Sequence, residues 1–184
     1  MAGGHGASHG GENKGVALII AILALCLALA EVGAKSAQTE ALNSNIEAAN
    51  LWSFFQARTI RQTQVRTAAE QAELTRTEAN SAATTTQQGR WTSTAARWES
   101  EPDTGEGRRE LMTRARAAEA RRDRNMEKYH MFEYSSAGFQ VAIVVASAAI
   151  ITGVALLVWL AVALGAVGFG LMMLGFFAPG LIHL

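Results

Sequence analysis

The sequence of 184 residues contains one cysteine and two prolines, and it has no net charge. A single cysteine, Cys26, excludes a disulfide within the chain. The 15 basic and 14 acidic residues between positions 35 and 133 are interleaved, which is unlike the basic surface of a nucleic-acid-binding protein. Few prolines leave long stretches in which a helix is not interrupted. We therefore expect long helices and no nucleic-acid partner.

Two apolar blocks lack charge altogether, and they predict helices that cross a lipid bilayer. Residues 15–30 and residues 137–178 contain no charged side chain. A helix needs about 20 apolar residues to cross a bilayer, so the first block provides one span and the second provides two. We place these spans at residues 15–34, 136–152 and 154–177. A cleaved signal peptide, with Lys14 as its charged region and a cleavage site at residues 28–30, is the alternative for the first block.

The segments outside these blocks differ in composition. Residues 1–14 are rich in glycine and histidine and are predicted to be disordered. Residues 35–135 are rich in Ala, Glu, Gln and Arg, which favours helix, and turn signals interrupt them at 81–90 and 101–107. The prediction is an all-α integral membrane protein with three transmembrane helices. A long extramembrane antiparallel helical hairpin, similar to a coiled coil, lies between the first and second.

Helix lengths constrain where this hairpin reverses. With a single reversal at 101–107, helices over residues 36–100 and 108–135 would be about 97 Å and 42 Å long. The chain would then end far from the bilayer that it must re-enter. We favour a reversal at 81–90 with a bend at 101–107. The alternative is a shorter hairpin that turns at 101–107, with part of residues 36–60 lying flat on the membrane.

Residues 51–55, LWSFF, are the most apolar part of the polar segment, and two arginines follow them. On a helix they lie opposite a second apolar face that contains Leu42, Ile46 and Ile60. We expect that second face to pack on the returning helix and the aromatic side to contact another copy of the chain. The predicted contact residues of this homo-oligomer are Leu51, Trp52, Phe54, Phe55, Arg58 and Arg61. Burial within the monomer, seating on the membrane surface and a small-ligand site are the alternatives.

Small residues recur at helical spacing in the last two spans, where they predict close helix packing. In lipid, small side chains let helices approach each other closely. The predicted packing residues are Gly138, Ala142, Ala146, Gly165 and Gly170. The alternative is that glycine and alanine are simply abundant here.

No motif predicts catalysis, a cofactor or a bound metal. Glu127-x-x-His130 is half of a di-iron motif, which requires a second copy and two further glutamates. His5 and His9 lack a third ligand for a metal. Asp103-x-x-Glu106 lacks the spacing of a calcium loop and is interpreted as a capping box that begins the next helix.

Three stretches resemble a bacterial family known as domain of unknown function 4337. They are SAQTEALNSNIEAANLWSFFQARTIRQT (36–63), TAARWESEPDTGEGRRELMTRARAAEARRD (94–123) and FEYSSAGFQVAIVVASAAIITGVALLVWLAVALGAVG (132–168). The resemblance implies a three-span protein of the bacterial inner (cytoplasmic) membrane, and it transfers no catalytic residue. The lysine and arginine count places the polar segment in the cytoplasm, whereas the basic N-terminus of the family places it outside, so both orientations stay open.

These features predict a non-enzymatic membrane protein that self-associates. It would act as a scaffold or as an accessory subunit of a larger membrane complex. The alternative is an oligomeric channel or transport component with a path near Glu31, because acidic groups at a membrane span can mark ion paths.

Overall fold

The computed structural model describes residues 9–181, and it describes side chains from residue 14 onward. This part of the chain is entirely helical and contains no strand, which confirms the all-α prediction. Its four helices are α1 (His9–Leu74), α2 (Ser81–Glu99), α3 (Arg108–Thr152) and α4 (Ala155–Phe177), with short 3-10 turns at Glu78–Asn80 and Pro179–Leu181. Helix α1 begins within the segment predicted to be disordered, and residues 1–8 of that segment lie outside the described residues.

Three of these helices are long and apolar enough to cross a membrane, namely α1 from Lys14 onward, α3 and α4. By length and composition the chain is therefore a multi-pass membrane protein. Between the last two helices, Gly153 adopts a φ angle of 68°. A glycine takes this left-handed conformation without the steric cost of a Cβ atom, which ends α3 and allows α4 to begin two residues later.

The chain divides into two compact units. The terminal unit contains the described residues up to Ala41 and those from Asp123 onward, and the central unit is Leu42–Arg122. The terminal unit holds the apolar stretches of α1, α3 and α4. The central unit holds the polar part of α1, all of α2 and the start of α3.

The first interruption of the polar segment lies at residues 75–80, so the predicted turn at 81–90 is wrong in position. The Asn80 side chain stabilises this interruption. Its Oδ1 accepts a hydrogen bond from the Thr77 backbone N–H at 2.7 Å, and its Nδ2 donates to the Thr75 carbonyl at 3.3 Å. Residues 81–90 are helical instead, and the Thr85 and Thr86 hydroxyls donate to carbonyls four residues earlier. Threonine can satisfy its hydroxyl in this way inside a helix.

The second interruption, at residues 100–107, is held by a glutamate from the following helix. The Glu110 carboxylate accepts hydrogen bonds from the Ser100 hydroxyl at 2.7 Å and from the Glu101 backbone N–H at 3.1 Å. The Leu111 N–H bonds to the Gly107 carbonyl at 2.8 Å as α3 begins. The predicted capping box at residues 103–106 is therefore wrong, because the acid that organises this helix start lies inside α3.

Candidate functional site

In the terminal unit, α1 buries small and aliphatic side chains at intervals of seven residues. Val16, Leu23, Ala30 and Ala37 are all buried. A spacing of seven keeps one stripe of a helix against its neighbours and is typical of coiled-coil packing. Leu23 and Ala30 lie in one cluster with Phe132 of α3. The apolar helices of this unit therefore pack through a regular and narrow stripe.

Helices α3 and α4 approach each other closely at two glycines. A Cβ atom on Gly138 would lie 3.5 Å from the Gly168 Cα atom. The Ser135 hydroxyl donates a hydrogen bond of 2.7 Å to the Gly168 carbonyl. Ala142 and Ala146, one and two helical turns further along α3, are fully buried. Small residues thus permit the contact and a serine bond reinforces it.

Of the predicted packing residues in α4, Gly165 is buried and Gly170 is not. A Cβ atom on Gly170 would meet nothing within 4 Å among the described residues. The buried positions of α4 are Ala161, Gly165, Gly168, Met172 and Gly175. They follow each other at intervals of three or four residues. Gly170 lies two residues, or about 200°, from Gly168 around the helix, so it does not take part in the packing among the described helices of this chain.

The core of the central unit joins α1 to α3 through the aromatic stretch. Leu51 packs with Leu111, Ala115 and Ala118, and Phe55 packs at the edge of this cluster. These three α3 residues are at most 2% exposed. Leu51, Trp52 and Phe55 of this stretch are therefore covered within the chain.

Polar bonds fix the register between these two helices. The Trp52 indole N–H donates to the Glu119 carboxylate at 2.8 Å, and Arg121 forms an ion pair of 2.7 Å with Glu47. Further along α1, Arg58 pairs with Glu106 at 2.8 Å. Residue numbers thus rise along α1 as those of its partners fall. A tryptophan N–H that enters an interface requires such an acceptor.

Helix α2 joins this arrangement through a buried glutamine. Gln62 is 2% exposed, and its Nε2 donates to the Ala95 carbonyl at 3.0 Å and to the Glu99 carboxylate at 3.2 Å. Arg108 donates to the Gln62 side-chain oxygen at 2.8 Å and to Glu99 at 2.7 Å. The Arg108 guanidinium also lies 5.1 Å from the centre of the Phe55 ring. Three helices therefore meet at one bonded cluster, which we call the Arg108 junction: Phe55, Gln62, Glu99 and Arg108.

The electrostatics of the Arg108 junction favour the ionised carboxylate. The hydrogen bond from Gln62 is the largest cause that lowers the pKa of Glu99 below 4.5, and the charge of Arg108 adds to it. Desolvation by burial acts in the opposite direction. Nearby, the hydrogen bond from Ser100 similarly lowers the pKa of Glu110. Both acids stabilise the helix connections as carboxylates.

The six predicted oligomer-contact residues do not form one surface. Leu51, Trp52 and Phe55 pack within the chain, and Arg58 is committed to its ion pairs. Phe54 is 59% exposed, and Arg61 is also exposed.

The face of α1 expected to meet the returning helix is instead open. Its residues, all exposed, are Leu42, Ile46, Ala49, Ser53, Ala57 and Ile60. The prediction therefore assigned the two apolar faces of α1 the wrong way round: the aromatic side packs on α3, and the side expected to do so is exposed. The choice depends on partners such as Glu119 and Arg108, which lie more than 45 residues away in sequence.

Residues 12–178 match the family model described as Domain of unknown function (DUF4337). The chain belongs to this family. The match covers α2, α3, α4 and nearly all of α1, so it includes both packing regions described above. No curated protein and no solved structure matches this DUF4337 chain.

Within this family member, His130 of the half di-iron motif serves other contacts. The described part of the chain has no group of three His, Cys, Asp or Glu residues placed to hold a metal ion. His130 lies 3.7 Å from Glu133 and stacks near Tyr134. His5 lies outside the described residues.

Proposed function

We propose that this protein is a non-enzymatic scaffold or accessory subunit of a larger complex in the bacterial inner membrane, and that it self-associates. In this proposal the central unit is an extramembrane antiparallel helical hairpin between the first two spans. The three apolar helices support anchoring in the bilayer. The proposal assigns the polar central unit to protein–protein contacts outside the bilayer.

The observation that carries this proposal is the exposure of large apolar side chains on α1 within the central unit. Leu42, Ile46 and Ile60 are 58%, 59% and 60% exposed. These residues lie in the polar segment of the chain, outside the predicted spans. Contiguous exposed apolar surface in an otherwise polar segment marks protein interaction sites.

The bonded core of the central unit supports the same function. Arg121 and Glu47 join α1 to α3 at one end, and the Arg108 junction joins three helices further along. Hydrogen bonds to charged groups are stronger than neutral ones and have defined geometry. These bonds hold the helices in a fixed register, which keeps the exposed face available as a docking surface.

A mass measurement in nanodiscs tests the proposal. We expect the purified protein to occur as a multiple of the 19.6 kDa chain. Affinity capture from native membranes then identifies any stoichiometric partner complex. A single-chain mass, together with capture of no stoichiometric partner, would contradict both forms of the proposal.

A further inference from the structure

The open face of α1 is a candidate contact surface of the central unit. We call it the outer face, and it consists of Leu42, Ile46, Ala49, Ser53, Ala57 and Ile60. It lies opposite the side that packs on α3, which contains Ala48, Leu51 and Phe55. Its residues follow each other at intervals of three or four positions, which is the spacing of a helix that packs along another helix.

The outer face is uncharged, although the rest of the central unit is rich in charge. The charged residues of α1 between positions 42 and 60 are Glu47 and Arg58. Both form ion pairs within the chain, with Arg121 and Glu106 respectively. Amides border most of the outer face, and Arg61 follows at its C-terminal end. The bordering amides are all exposed: Asn43, Asn45, Asn50 and Gln56.

The exposed side of α3 differs, because it is basic. Within the central unit its exposed residues include Arg109, which pairs with Glu99, and Arg114 and Arg116. Two copies that met through this side of α3 would bring like charges together, which is unfavourable. Two copies that met through the outer face of α1 would meet less repulsion, because Arg61 is the only exposed basic residue that borders that face.

We propose that the outer face binds the outer face of a second copy of this chain, and this inference rests on the proposed self-association. An amide side chain both donates and accepts hydrogen bonds, so the bordering residues are complementary to themselves. Ala49, Ser53 and Ala57 form a small central part that lets two helices approach closely. Leu42, Ile46 and Ile60 supply apolar area on both sides of this part.

The two copies pair in parallel and in register. Copies that are inserted the same way in one membrane have their first helices pointing in the same direction. A two-fold axis then brings each residue of the contact close to its own equivalent. The Ala49 residues of the two copies therefore face each other.

The size of the outer face determines where the contact must be measured. A helix of 19 residues is about 28 Å long and about 10 Å wide, which corresponds to roughly 300 Å² per copy. A stable interface between soluble proteins buries about 800 Å² per partner. The contact therefore depends on confinement of both copies in one membrane, so native membranes are the proper sample.

Disulfide formation between copies tests the proposal in native membranes. In a Cys26→Ala background, we introduce Ala49→Cys and, as the matched control, Ala117→Cys on the exposed side of α3. A disulfide requires Cα atoms within about 7 Å. Mild oxidation should convert most of the Ala49→Cys protein into a covalent dimer and leave the Ala117→Cys protein monomeric. Equal cross-linking of both variants would reflect random collision and would overturn the proposal.

A charge substitution separates this inference from the proposed function. Ala49→Glu places two carboxylates against each other, so we expect the multiple-chain mass in nanodiscs to fall to that of one chain. Ala117→Glu should leave the mass unchanged, and equal melting temperatures of the two variants show that both fold. A multiple-chain mass that survives Ala49→Glu, without cross-linking at position 49, overturns the outer-face contact and leaves self-association intact. A single-chain mass of the unmodified protein, with no cross-linking at position 49 in membranes, overturns both.

Discussion

At the scale of single residues, two glycines of the central unit have opposite surroundings. A Cβ atom on Gly107 would clash with the Glu110 carboxylate and the Glu101 backbone nitrogen. A Cβ atom on Gly89, inside α2, would meet nothing within 4 Å among the described residues. Gly107→Ala should therefore lower the free energy of unfolding by about 1–3 kcal/mol. Gly89→Ala should raise it by about 0.5–1 kcal/mol, because alanine loses less entropy in a helix.

Thermal unfolding of both variants in nanodiscs, followed by circular dichroism, checks this pair. Gly89→Ala is the control, since it makes the same chemical change in an open environment. A Gly107→Ala variant as stable as Gly89→Ala would show that the connection before α3 is looser than described.

The lowered pKa of Glu99 predicts a loss of stability in acid. The folded state binds a proton at the Glu99 carboxyl less readily than the unfolded chain does. The contribution of ionised Glu99 to the free energy of unfolding is therefore fully present above the ordinary pKa of 4.5. It is lost as the pH falls through the lower folded value. Melting temperatures at a series of pH values should therefore drop below pH 4.5, and Glu99→Gln should reduce that drop. Glu70→Gln, at an exposed position of α1, is the control, and an equal reduction by it would contradict the assigned role of Glu99.

At the scale of helices, local composition predicted the long helices and the interruption at 101–107, but it misplaced the other interruption. The low proline content and the abundance of helix-forming residues indicated long helices, which the described residues contain. The stretch 81–90 is predicted as a turn, yet it is helical, and the hydroxyls of Thr85 and Thr86 bond inside α2. The actual break is bonded by Asn80, to Thr75 and Thr77, and by Arg76, to Ser81. These bonds become apparent only in three dimensions.

The choice between the two apolar faces of α1 could not be made from the sequence. Both faces carry aliphatic side chains at helical spacing, so hydropathy alone does not rank them. The decisive partners are Glu119 for the Trp52 N–H and Arg108 for the Phe55 ring. Identifying them requires the register between α1 and α3. The requirement of a tryptophan N–H for an acceptor was the one available signal, and several acidic residues of α3 could have met it.

Helix packing in the terminal unit predicts a contrast between Gly168 and Gly170. A Cβ atom on Gly168 would lie 3.2 Å from the Phe139 ring and 3.3 Å from the Ser135 carbonyl oxygen. Gly168→Val should therefore lower the free energy of unfolding by about 1–3 kcal/mol through overpacking. Gly170→Val, at an exposed position, should cost much less. Melting temperatures in detergent micelles, read from tryptophan emission, measure the difference, and equal values would contradict the described α3–α4 contact.

At the scale of the whole molecule, composition and apolar blocks were enough to predict the helical class and three helices that are long and apolar enough to cross a membrane. These properties depend on sums over many residues, so errors at single positions do not alter them. The family followed from the resemblance of three particular stretches. The contact surfaces depend on a few side chains in a particular register. For that reason Gly168 and the Arg108 junction were missed, whereas the apolar stretches of α1, α3 and α4 were recognised.

The central claim is that residues 42–122 lie outside the membrane, on one side, between two spans. Cysteine labelling tests it with Asn50→Cys on α1 and Thr113→Cys on α3, both exposed, in a Cys26→Ala background. Val144→Cys, in the apolar stretch of α3, is the control that a membrane-impermeant maleimide should leave unlabelled. We predict that positions 50 and 113 react from the same side of sealed vesicles. Reaction of these two positions from opposite sides would contradict the claim.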